Sequence, residues 1–292
     1  MCSERPISIE RDEIAFLHSE CAFTSCYNND DGGSIYMRAN SSLINYRFCI
    51  FDSCCEPDYW GSVFFHGGTG NEDCLKIEDG SICCCGRIQS EFLNTLWAVK
   101  IFTIDYTNFT DNKSLYTSGI DVGYDAGYDF RTSYCNVVSN KGKGSCFVIN
   151  NNCNASIEYC NFINNSIGND SSIIESTCYF SNISKCALLQ NSGYTVKIGQ
   201  TIDSIDRYFL IQNCYIDPLS IPFYSSDYFM REHFIVDNES SINHTIEMRI
   251  TNLNNCLPPL LEYANIKDIC PSKRIIHYYR QCFLFQFIHI LH

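Results

Sequence analysis

A short motif that recurs at a nearly constant spacing constrains the fold of this chain more than any other feature. The motif reads Cys-x-aromatic/aliphatic-x-x-Asn/Cys, and its copies begin at residues 21, 49, 107, 135, 160, 186 and 214. Most consecutive copies lie about 28 residues apart, and a fixed period of this kind is typical of a solenoid, in which each repeat forms one structural unit. The wider gap between residues 49 and 107 spans two such periods and predicts one degenerate copy near Ile82.

Two further short segments accompany each copy of the motif. A Gly- or Ser-led segment follows it, as at residues 32–36 and 144–148, and a β-branched or aromatic segment precedes the next copy, as at residues 42–46 and 155–159. Each has the length and the flanking turn residues of a short strand. Strands this short pair stably only with the equivalent strand of the next coil, about 4.8 Å away. The sequence therefore predicts an all-β fold, a right-handed single-stranded parallel β-helix of about 28-residue coils.

Stacking of equivalent coils places like side chains above one another. We predict an inward aromatic column, an inward cysteine column and a ladder of asparagine amides at a bend; alternatively, the asparagines simply lie in loops, where Asn is common. Parallel in-register cysteines point the same way, which is a poor disulfide geometry, so we predict mostly buried, unbridged thiols. The predicted structural residues are Phe23, Phe51, Phe109, Phe162, Cys21, Cys49, Cys135, Cys160, Cys186, Cys214, Asn112, Asn140, Asn165 and Asn191.

The charge balance excludes one class of partner. The chain has 33 acidic and 20 basic residues and a formal net charge of -13. Nucleic-acid affinity depends largely on Lys and Arg neutralising phosphates, so we do not expect nucleic-acid binding. The apolar segment 282–291 is shorter than the roughly 20 residues that a spanning helix needs, so we expect no membrane span within this sequence.

The numbers of cysteines and sequons do not decide the cellular compartment of the protein. Twenty cysteines and nine Asn-x-Ser/Thr sequons suit a secreted glycoprotein, although an Asn- and Ser-rich chain also produces sequons by chance. The N-terminal ten residues lack the apolar core of a signal peptide. We expect the cell surface if a signal peptide and an anchor lie outside this sequence, and the cytoplasm otherwise. The candidate glycosylation sites are Asn40, Asn108, Asn112, Asn154, Asn164, Asn169, Asn182, Asn238 and Asn243.

The repeat resembles those of right-handed β-helix proteins of the pectin-lyase-like superfold. It is similar to the Cys- and Asn-rich surface-type β-helix proteins of parasitic protists and, more distantly, to bacterial polymorphic outer-membrane proteins, whose Phe-x-x-Asn and Gly-Gly-[Ala/Ser/Ile] repeats match residues 162–165 and 32–35. The likeness covers residues 15–215. It implies the fold but no single activity, because the superfold includes lyases, hydrolases, adhesins and proteins without known activity.

The repeat also predicts how the chain is divided. We expect residues 1–14 to cap the open edge of the first coil, since solenoids need such caps, and residues 15–256 to form the repeat domain, with a strand at 246–250. Seven or eight coils are expected within residues 15–215. The resemblance implies a membrane-spanning helix after the β-helix; this sequence departs from it, so residues 257–292 are predicted to be a C-terminal cap or a junction to a missing segment.

The sequence predicts no catalytic, metal or cofactor site, and no cofactor. The resemblance implies paired aspartates, Gly-His-Gly and Arg-Ile-Lys in a pectin-degrading hydrolase. Neither tripeptide occurs, and no aspartate pair lies at coil spacing beside His66, the nearest match to the histidine motif, which is interpreted as a loop histidine. Weak metal candidates are Asp121, Asp125 and Asp129, which could bind Ca²⁺ or simply lie in an insertion between coils. The cysteine clusters at residues 54–55 and 83–85 lack the spacing of a zinc site.

Three hypotheses on function remain: the protein binds a ligand, it catalyses a reaction, or it has no activity. Tyr124, Tyr128, Tyr224 and Tyr228 lie outside the repeat positions and are expected on the surface, either for recognition or incidentally. The sequence predicts a noncatalytic surface or scaffold protein whose lateral face binds protein or glycan. The alternatives are a polysaccharide-active lyase or hydrolase of the same superfold, and a degenerate or truncated member without activity.

Overall fold

Parallel β-strands form all the regular structure that is described. The computed structural model shows no helix in these residues, and therefore none that is long and apolar enough to cross a membrane. The described residues are 7–9, 16–19, 22–24, 26, 33–37, 44–47, 50–52, 54, 63–67, 74–87, 91–92, 94–97, 101–122, 129–150, 154–198, 208–216, 221–224 and 234–237.

The first sheet contains nine parallel strands, each contributed by a successive coil. It starts at residue 7, inside the segment 1–14 that the sequence predicts to be a cap, and this edge strand, Ile7–Ile9, pairs with Ile35–Met37. His66 lies in this sheet, paired with Met37 and Leu96, and not in the loop that the sequence analysis assigned to it. The strands are β1 (Ile7–Ile9), β4 (Ile35–Met37), β7 (Phe64–Gly67), β10 (Asn94–Trp97), β14 (Ile120–Val122), β18 (Phe147–Ile149), β21 (Ser172–Ser176), β24 (Tyr194–Ile198) and β27 (Ile221–Tyr224).

The second sheet also has nine parallel strands. Its side chains alternate as the period of a strand requires: Phe130 and Thr132 are buried, whereas Arg131 between them is exposed. One face therefore packs on the core and the other carries polar groups into solvent. The strands are β2 (Phe16–Ser19), β5 (Ile44–Arg47), β8 (Cys74–Glu78), β11 (Ile101–Asp105), β15 (Asp129–Ser133), β19 (Asn154–Glu158), β22 (Phe180–Ser184), β25 (Tyr208–Gln212) and β28 (Phe234–Asp237).

The third sheet has eight parallel strands and is formed by the Cys-x-aromatic motif. Ile82 pairs with Phe51 on one side and Phe109 on the other, which confirms the degenerate copy of the motif. The strands are β3 (Ala22–Thr24), β6 (Ile50–Asp52), β9 (Ser81–Cys83), β12 (Asn108–Thr110), β16 (Asn136–Val138), β20 (Asn161–Ile163), β23 (Ala187–Leu189) and β26 (Tyr215–Ile216). A short pair, β13 (Lys113–Ser114) with β17 (Lys141–Gly142), lies beside it.

Three strands per coil, each paired in parallel with its equivalent, confirm the predicted parallel β-helix. Along one row of the second sheet the paired residues are Ile77, Ile104, Thr132, Ile157, Ile183 and Ile211. Their sequence positions advance by 27, 28, 25, 26 and 28 from coil to coil. The structure therefore has about 27-residue coils, slightly shorter than the spacing of the motif predicts.

Aromatic rings fill the narrow interior between the sheets. Phe23, Phe51, Phe109 and Phe162 are each at most 2% exposed. The Phe23 and Phe51 rings stack in parallel with centroids 4.9 Å apart. In later coils Phe147 of the first sheet inserts edge-on between Phe109 and Phe162, 5.5 Å from each. Burial of these rings contributes much of the hydrophobic stabilisation of each coil, because they fill the narrow space between its three sheets.

Candidate functional site

Two bends of the coil have the same backbone conformation. The first bend joins the second sheet to the third, and the second bend joins the third sheet to the first. At each of these bends that the structure describes from β8 onward, one residue adopts a left-handed conformation, with φ between 51° and 56°, and the next residue is buried in most coils. The left-handed residues of the first bend are Asp79, Tyr106, Tyr134, Tyr159, Lys185 and Asn213; those of the second bend are Cys84, Asp111, Ser139, Asn164 and Gln190.

The buried residue at the second bend forms an asparagine ladder. The Asn140 Oδ1 accepts a hydrogen bond from the Asn112 backbone N–H at 3.0 Å, and its Nδ2 donates to the Phe109 carbonyl at 2.8 Å. Asn165 repeats both bonds one coil later, to Asn140 and Val137. Such a side chain satisfies backbone groups that the bend removes from the strand ladders, which is why Asn recurs at this position.

At the first bend, cysteine side chains form the corresponding hydrogen bonds to backbone groups. The Cys186 Sγ accepts the Cys160 backbone N–H at 3.4 Å and donates to the Ile157 carbonyl at 3.5 Å. Cys214 makes the corresponding bonds to Cys186 and Ile183. At the second bend, cysteines occupy the ladder position in the early coils, at residues 26, 54 and 85. The Cys/Asn alternation in the motif therefore reflects two side chains that fit one bend geometry.

The bend thiols differ in pKa from coil to coil. For Cys54, hydrogen bonds with Cys26, Cys85 and Ser34 outweigh burial and lower the pKa, and a hydrogen bond with Cys186 lowers the pKa of Cys214. Burial raises the pKa of the Cys135, Cys160 and Cys186 thiols well above the ordinary value, so they stay protonated and act as hydrogen-bond donors. Of the eleven cysteines whose side chains are described, ten are buried, Cys84 is exposed, and none forms a disulfide.

We expect brief alkylation of the unreduced, folded protein to modify Cys84 and to spare Cys135, Cys160 and Cys186. The three buried thiols should become reactive only in denaturant, because the thiolate is the nucleophile and burial disfavours it. Peptide mass spectrometry after labelling checks each site separately. A disulfide between any of these four cysteines, or equal labelling in the folded state, would contradict the assignment.

The left-handed residues of the first bend form an exposed aromatic column. The rings of Tyr106 and Tyr134 stack with centroids 4.9 Å apart and planes within 4°, and those of Tyr134 and Tyr159 stack at 4.9 Å and 5°. The Lys185 Nζ lies 4.6 Å from the centroid of the Tyr159 ring. Tyr106 is 42% exposed. We call Tyr106, Tyr134, Tyr159 and Lys185 the tyrosine ridge.

Carboxylates accompany the ridge along the last position of the second-sheet strands. Glu78, Asp105, Ser133 and Glu158 stand in register in successive coils. The Ser133 hydroxyl donates to Asp105 at 2.5 Å, and the Lys76 ammonium pairs with Glu78 at 2.6 Å. We call Glu78, Asp105 and Glu158 the carboxylate row. Ridge and row together make a regular, polar and aromatic strip on the side of the coil.

The ridge was not predicted, although the sequence carries a signal for it. A tyrosine stands immediately before the first residue of the motif at 106, 134 and 159. Only the bend geometry shows that this position points outward while its neighbour points inward. The surface tyrosines that were predicted lie elsewhere: Tyr224 is in β27, and Tyr124, Tyr128 and Tyr228 lie outside the described residues.

The metal candidates are divided between two sheets. Asp121 is 6% exposed in β14 of the first sheet, whereas Asp129 begins β15 of the second sheet and pairs with Arg131 at 3.1 Å. Asp125 lies outside the described residues. Within the described part of the chain, no group of three His, Cys, Asp or Glu residues could hold a metal ion.

Asp121 has an electrostatic environment unlike that of the exposed acids. Burial, and then the negative charge of Glu175, raise its pKa to about 7. Glu175 itself pairs with the Lys197 ammonium at 3.4 Å and accepts a hydrogen bond from the Ser145 hydroxyl at 2.9 Å. Both effects disfavour the charged form of the Asp121 carboxyl.

The glycosylation candidates fall into three groups. The side chains of Asn108 and Asn112 are buried and hydrogen-bonded, so a glycan there is incompatible with the folded coil. Asn154, Asn164 and Asn169 are exposed, and Asn182 is partly exposed. The sites Asn40, Asn238 and Asn243 lie outside the described residues, as do the repeat cysteines Cys21 and Cys49, the predicted strand at 246–250 and the segment 257–292.

Comparison with known proteins adds no relative to this picture. The chain matches no protein-family model, no curated protein and no solved structure. Its β-helix is therefore established by strand pairing alone.

Proposed function

We propose that this chain is a noncatalytic β-helix scaffold that binds protein or glycan ligands on its lateral face. The observation that carries the proposal is the tyrosine ridge beside the carboxylate row. Three stacked rings and their hydroxyls repeat at 4.9 Å steps on a backbone that the coil ladders hold in place.

Such a strip has the properties of a recognition surface. Tyrosine offers a large amphipathic contact area with little side-chain entropy to lose, and interfaces are enriched in it. Stacking holds each ring in one orientation before any ligand arrives, which lowers the entropic cost of association. The adjacent carboxylates accept hydrogen bonds from sugar hydroxyls or from N–H groups of a protein.

The resemblance in the repeat motif supports the same role. Surface-type β-helix proteins of parasitic protists share the Cys-x-Phe-x-x-Asn pattern, and we propose that this chain likewise acts in adhesion at a cell surface. The exposed sequons at Asn154 and Asn169 lie at other positions of the coil, so glycans there would leave the ridge open.

A direct test compares the full chain with Tyr134→Ala on a glycan array and on an array of extracellular proteins. Removing the middle ring breaks the ridge, so we expect bound ligands to lose about tenfold or more in affinity. Tyr116→Ala is the matched control, because Tyr116 is 47% exposed but lies outside the ridge. Ligands that bind both variants equally, or no ligand on either array, would count against the proposal.

A polysaccharide-active enzyme is the second candidate, favoured by the Asp121 carboxyl. A pKa of about 7 suits a general acid or base. The side chain is only 6% exposed, however, so substrate has little access to it and binding remains the better-supported function. The test is whether reducing ends are released from array polysaccharides. Release by the wild-type chain, and not by Asp121→Asn, would make catalysis the better-supported function.

A further inference from the structure

The amide of Asn112 is both a structural group of the asparagine ladder and the acceptor of a sequon. Its Nδ2 donates a hydrogen bond to the Ile82 carbonyl at 2.9 Å, and its Oδ1 accepts one from the Cys85 backbone N–H at 3.0 Å. Both partners belong to the preceding coil, and the Asn112 side chain is fully buried. Ser114, which completes the sequon, is also buried, and its hydroxyl has no hydrogen-bond partner among the described residues. This sequon therefore lies inside the folded coil.

A second sequon, with Asn108 as acceptor and Thr110 as its hydroxyl residue, is buried in the same coil. The Asn108 Oδ1 accepts a hydrogen bond from the Asn136 Nδ2 at 2.9 Å, and the Asn136 Oδ1 accepts one from the Asn161 Nδ2 at 3.1 Å. Amides from three successive coils thus form a row along the third sheet. This row fixes the Asn108 amide in the folded chain.

The other described sequons have their acceptors at the surface. Asn154, Asn164 and Asn169 are exposed, and Asn182 is partly exposed. The Asn164 Nδ2 donates to the Ser139 hydroxyl at 3.2 Å on the outside of the second bend. A glycan at an exposed acceptor projects into solvent, where N-glycans normally lie. The described sequons therefore divide into an inner pair, which the folded coil encloses, and an outer group, which it leaves accessible.

The inner amides are accessible to a glycan transferase only before their coil closes. In the secretory pathway the transferase acts on the emerging, still unfolded chain. Both inner triplets, 108–110 and 112–114, are synthesised before β14, the strand of the first sheet that completes their coil. In the transfer, the asparagine Nδ2 loses a proton and bonds to C1 of the oligosaccharide, while the C1–O bond to the pyrophosphate of the lipid carrier breaks. Modification thus precedes burial in the order of synthesis.

We propose that N-glycosylation of Asn108 and Asn112 competes with docking of their coil and, where it happens first, prevents this chain from folding. A bulky, hydrated glycan on Asn112 cannot enter a fully buried position between the Ile82 carbonyl and the Cys85 N–H. Each coil of a solenoid is stabilised mainly by its neighbours, so one displaced coil leaves the coils on both sides without a partner. The inference rests on the cell-surface part of the proposed function, because only a secreted chain meets the transferase.

Secretion of the full chain from cultured animal cells tests this competition. A signal peptide directs the chain to the secretory pathway, and Thr110→Val/Ser114→Ala, the inner-sequon variant, removes the hydroxyls that both inner sequons need while it keeps Asn108 and Asn112. We expect this variant to raise the yield of secreted, folded protein about threefold or more. In the wild type, mass spectrometry should find glycans on Asn108 or Asn112 in the chains that the cells retain, and none there in the secreted pool.

Two controls separate glycosylation from the intrinsic stability of the coil. Ser156→Ala/Ser166→Ala removes the sequons of the exposed Asn154 and Asn164 and should leave the secreted yield within about twofold of the wild type. The wild type and the inner-sequon variant are also produced in the bacterial cytoplasm, where no N-glycan is added. Their urea unfolding midpoints should agree there, because the Ser114 hydroxyl has no hydrogen bond to lose and valine keeps the β-branched shape of threonine.

Glycans on Asn108 or Asn112 in the secreted pool, or their absence from the retained chains, would overturn the competition. The same holds if the inner-sequon variant gives no gain in yield, if the control variant gains equally, or if the bacterial inner-sequon variant has a higher urea midpoint than the wild type. These outcomes are distinct from failure of the lateral-face proposal. Array ligands that are lost in Tyr134→Ala would preserve lateral-face recognition whatever the glycan pattern.

Discussion

Replacing Asn140 by alanine is expected to lower the free energy of unfolding by about 2–6 kcal/mol. The side chain is fully buried and serves three neighbours: it accepts from the Asn112 N–H and donates to the Phe109 carbonyl and to Asn165 Oδ1. Alanine leaves the Asn112 N–H and the Phe109 carbonyl without this partner in a site that water cannot reach, whereas Asn165 Oδ1 keeps its bond from the backbone N–H of residue 140. Each buried polar group that loses its partner costs about 1–3 kcal/mol.

Urea unfolding followed by far-UV circular dichroism measures the change, with Asn154→Ala as control. Asn154 is an exposed asparagine at the start of β19, so its replacement should change the free energy of unfolding by less than about 0.5 kcal/mol. Asn140→Cys should lie between the two, because Cys85 fills the same ladder position and donates to the Phe51 carbonyl at 3.4 Å. A loss below about 1 kcal/mol in Asn140→Ala would show that the ladder is not a structural support.

The repeat made the coil predictable because stacking converts sequence period into spatial register. Phe51, Ile82 and Phe109 differ in spacing and in type, yet they pair in one row. Any apolar residue that fills the interior suffices there, so a degenerate motif still signals its strand. The same logic predicted the three-strand coil, since every strand pairs with its own equivalent and no long-range topology had to be guessed.

Features that depend on a single coil or on side-chain direction were harder to predict. Strand β1 carries no copy of the motif, so its pairing with β4 could not be read from the repeat. His66 was assigned to a loop because glycines follow it, but pairing with neighbouring coils extends β7 through it. The tyrosine ridge was missed because adjacent positions of a left-handed bend point in opposite directions, which periodicity in the sequence does not reveal.

Asp121 shows a further limit of sequence reading and gives the second large expected effect. The sequence grouped it with Asp125 and Asp129 as a weak metal candidate, but its burial in β14 separates it from Asp129. An aspartate in the unfolded chain has a pKa of about 3.9, whereas burial and Glu175 raise the folded value to about 7. The folded state therefore binds the proton more tightly than the unfolded state. Stability from this group is present below about pH 4 and falls as the pH rises to about 7.

We expect Asp121→Asn to remove most of this decline and to stabilise the protein at pH 8, relative to the wild type, by up to about 4 kcal/mol. The cause is that a neutral side chain avoids the cost of a buried carboxylate next to Glu175, whose own ion pair is with Lys197. Urea unfolding at pH 5 and pH 8 gives the change in the free energy of unfolding with pH, and this slope is compared between the wild type and Asp121→Asn. Asp170→Asn is the control, because that carboxyl is exposed and its removal should leave the wild-type slope unchanged. If Asp121→Asn also keeps the wild-type slope, the Asp121 carboxyl is hydrated in the folded protein and its pKa is not raised.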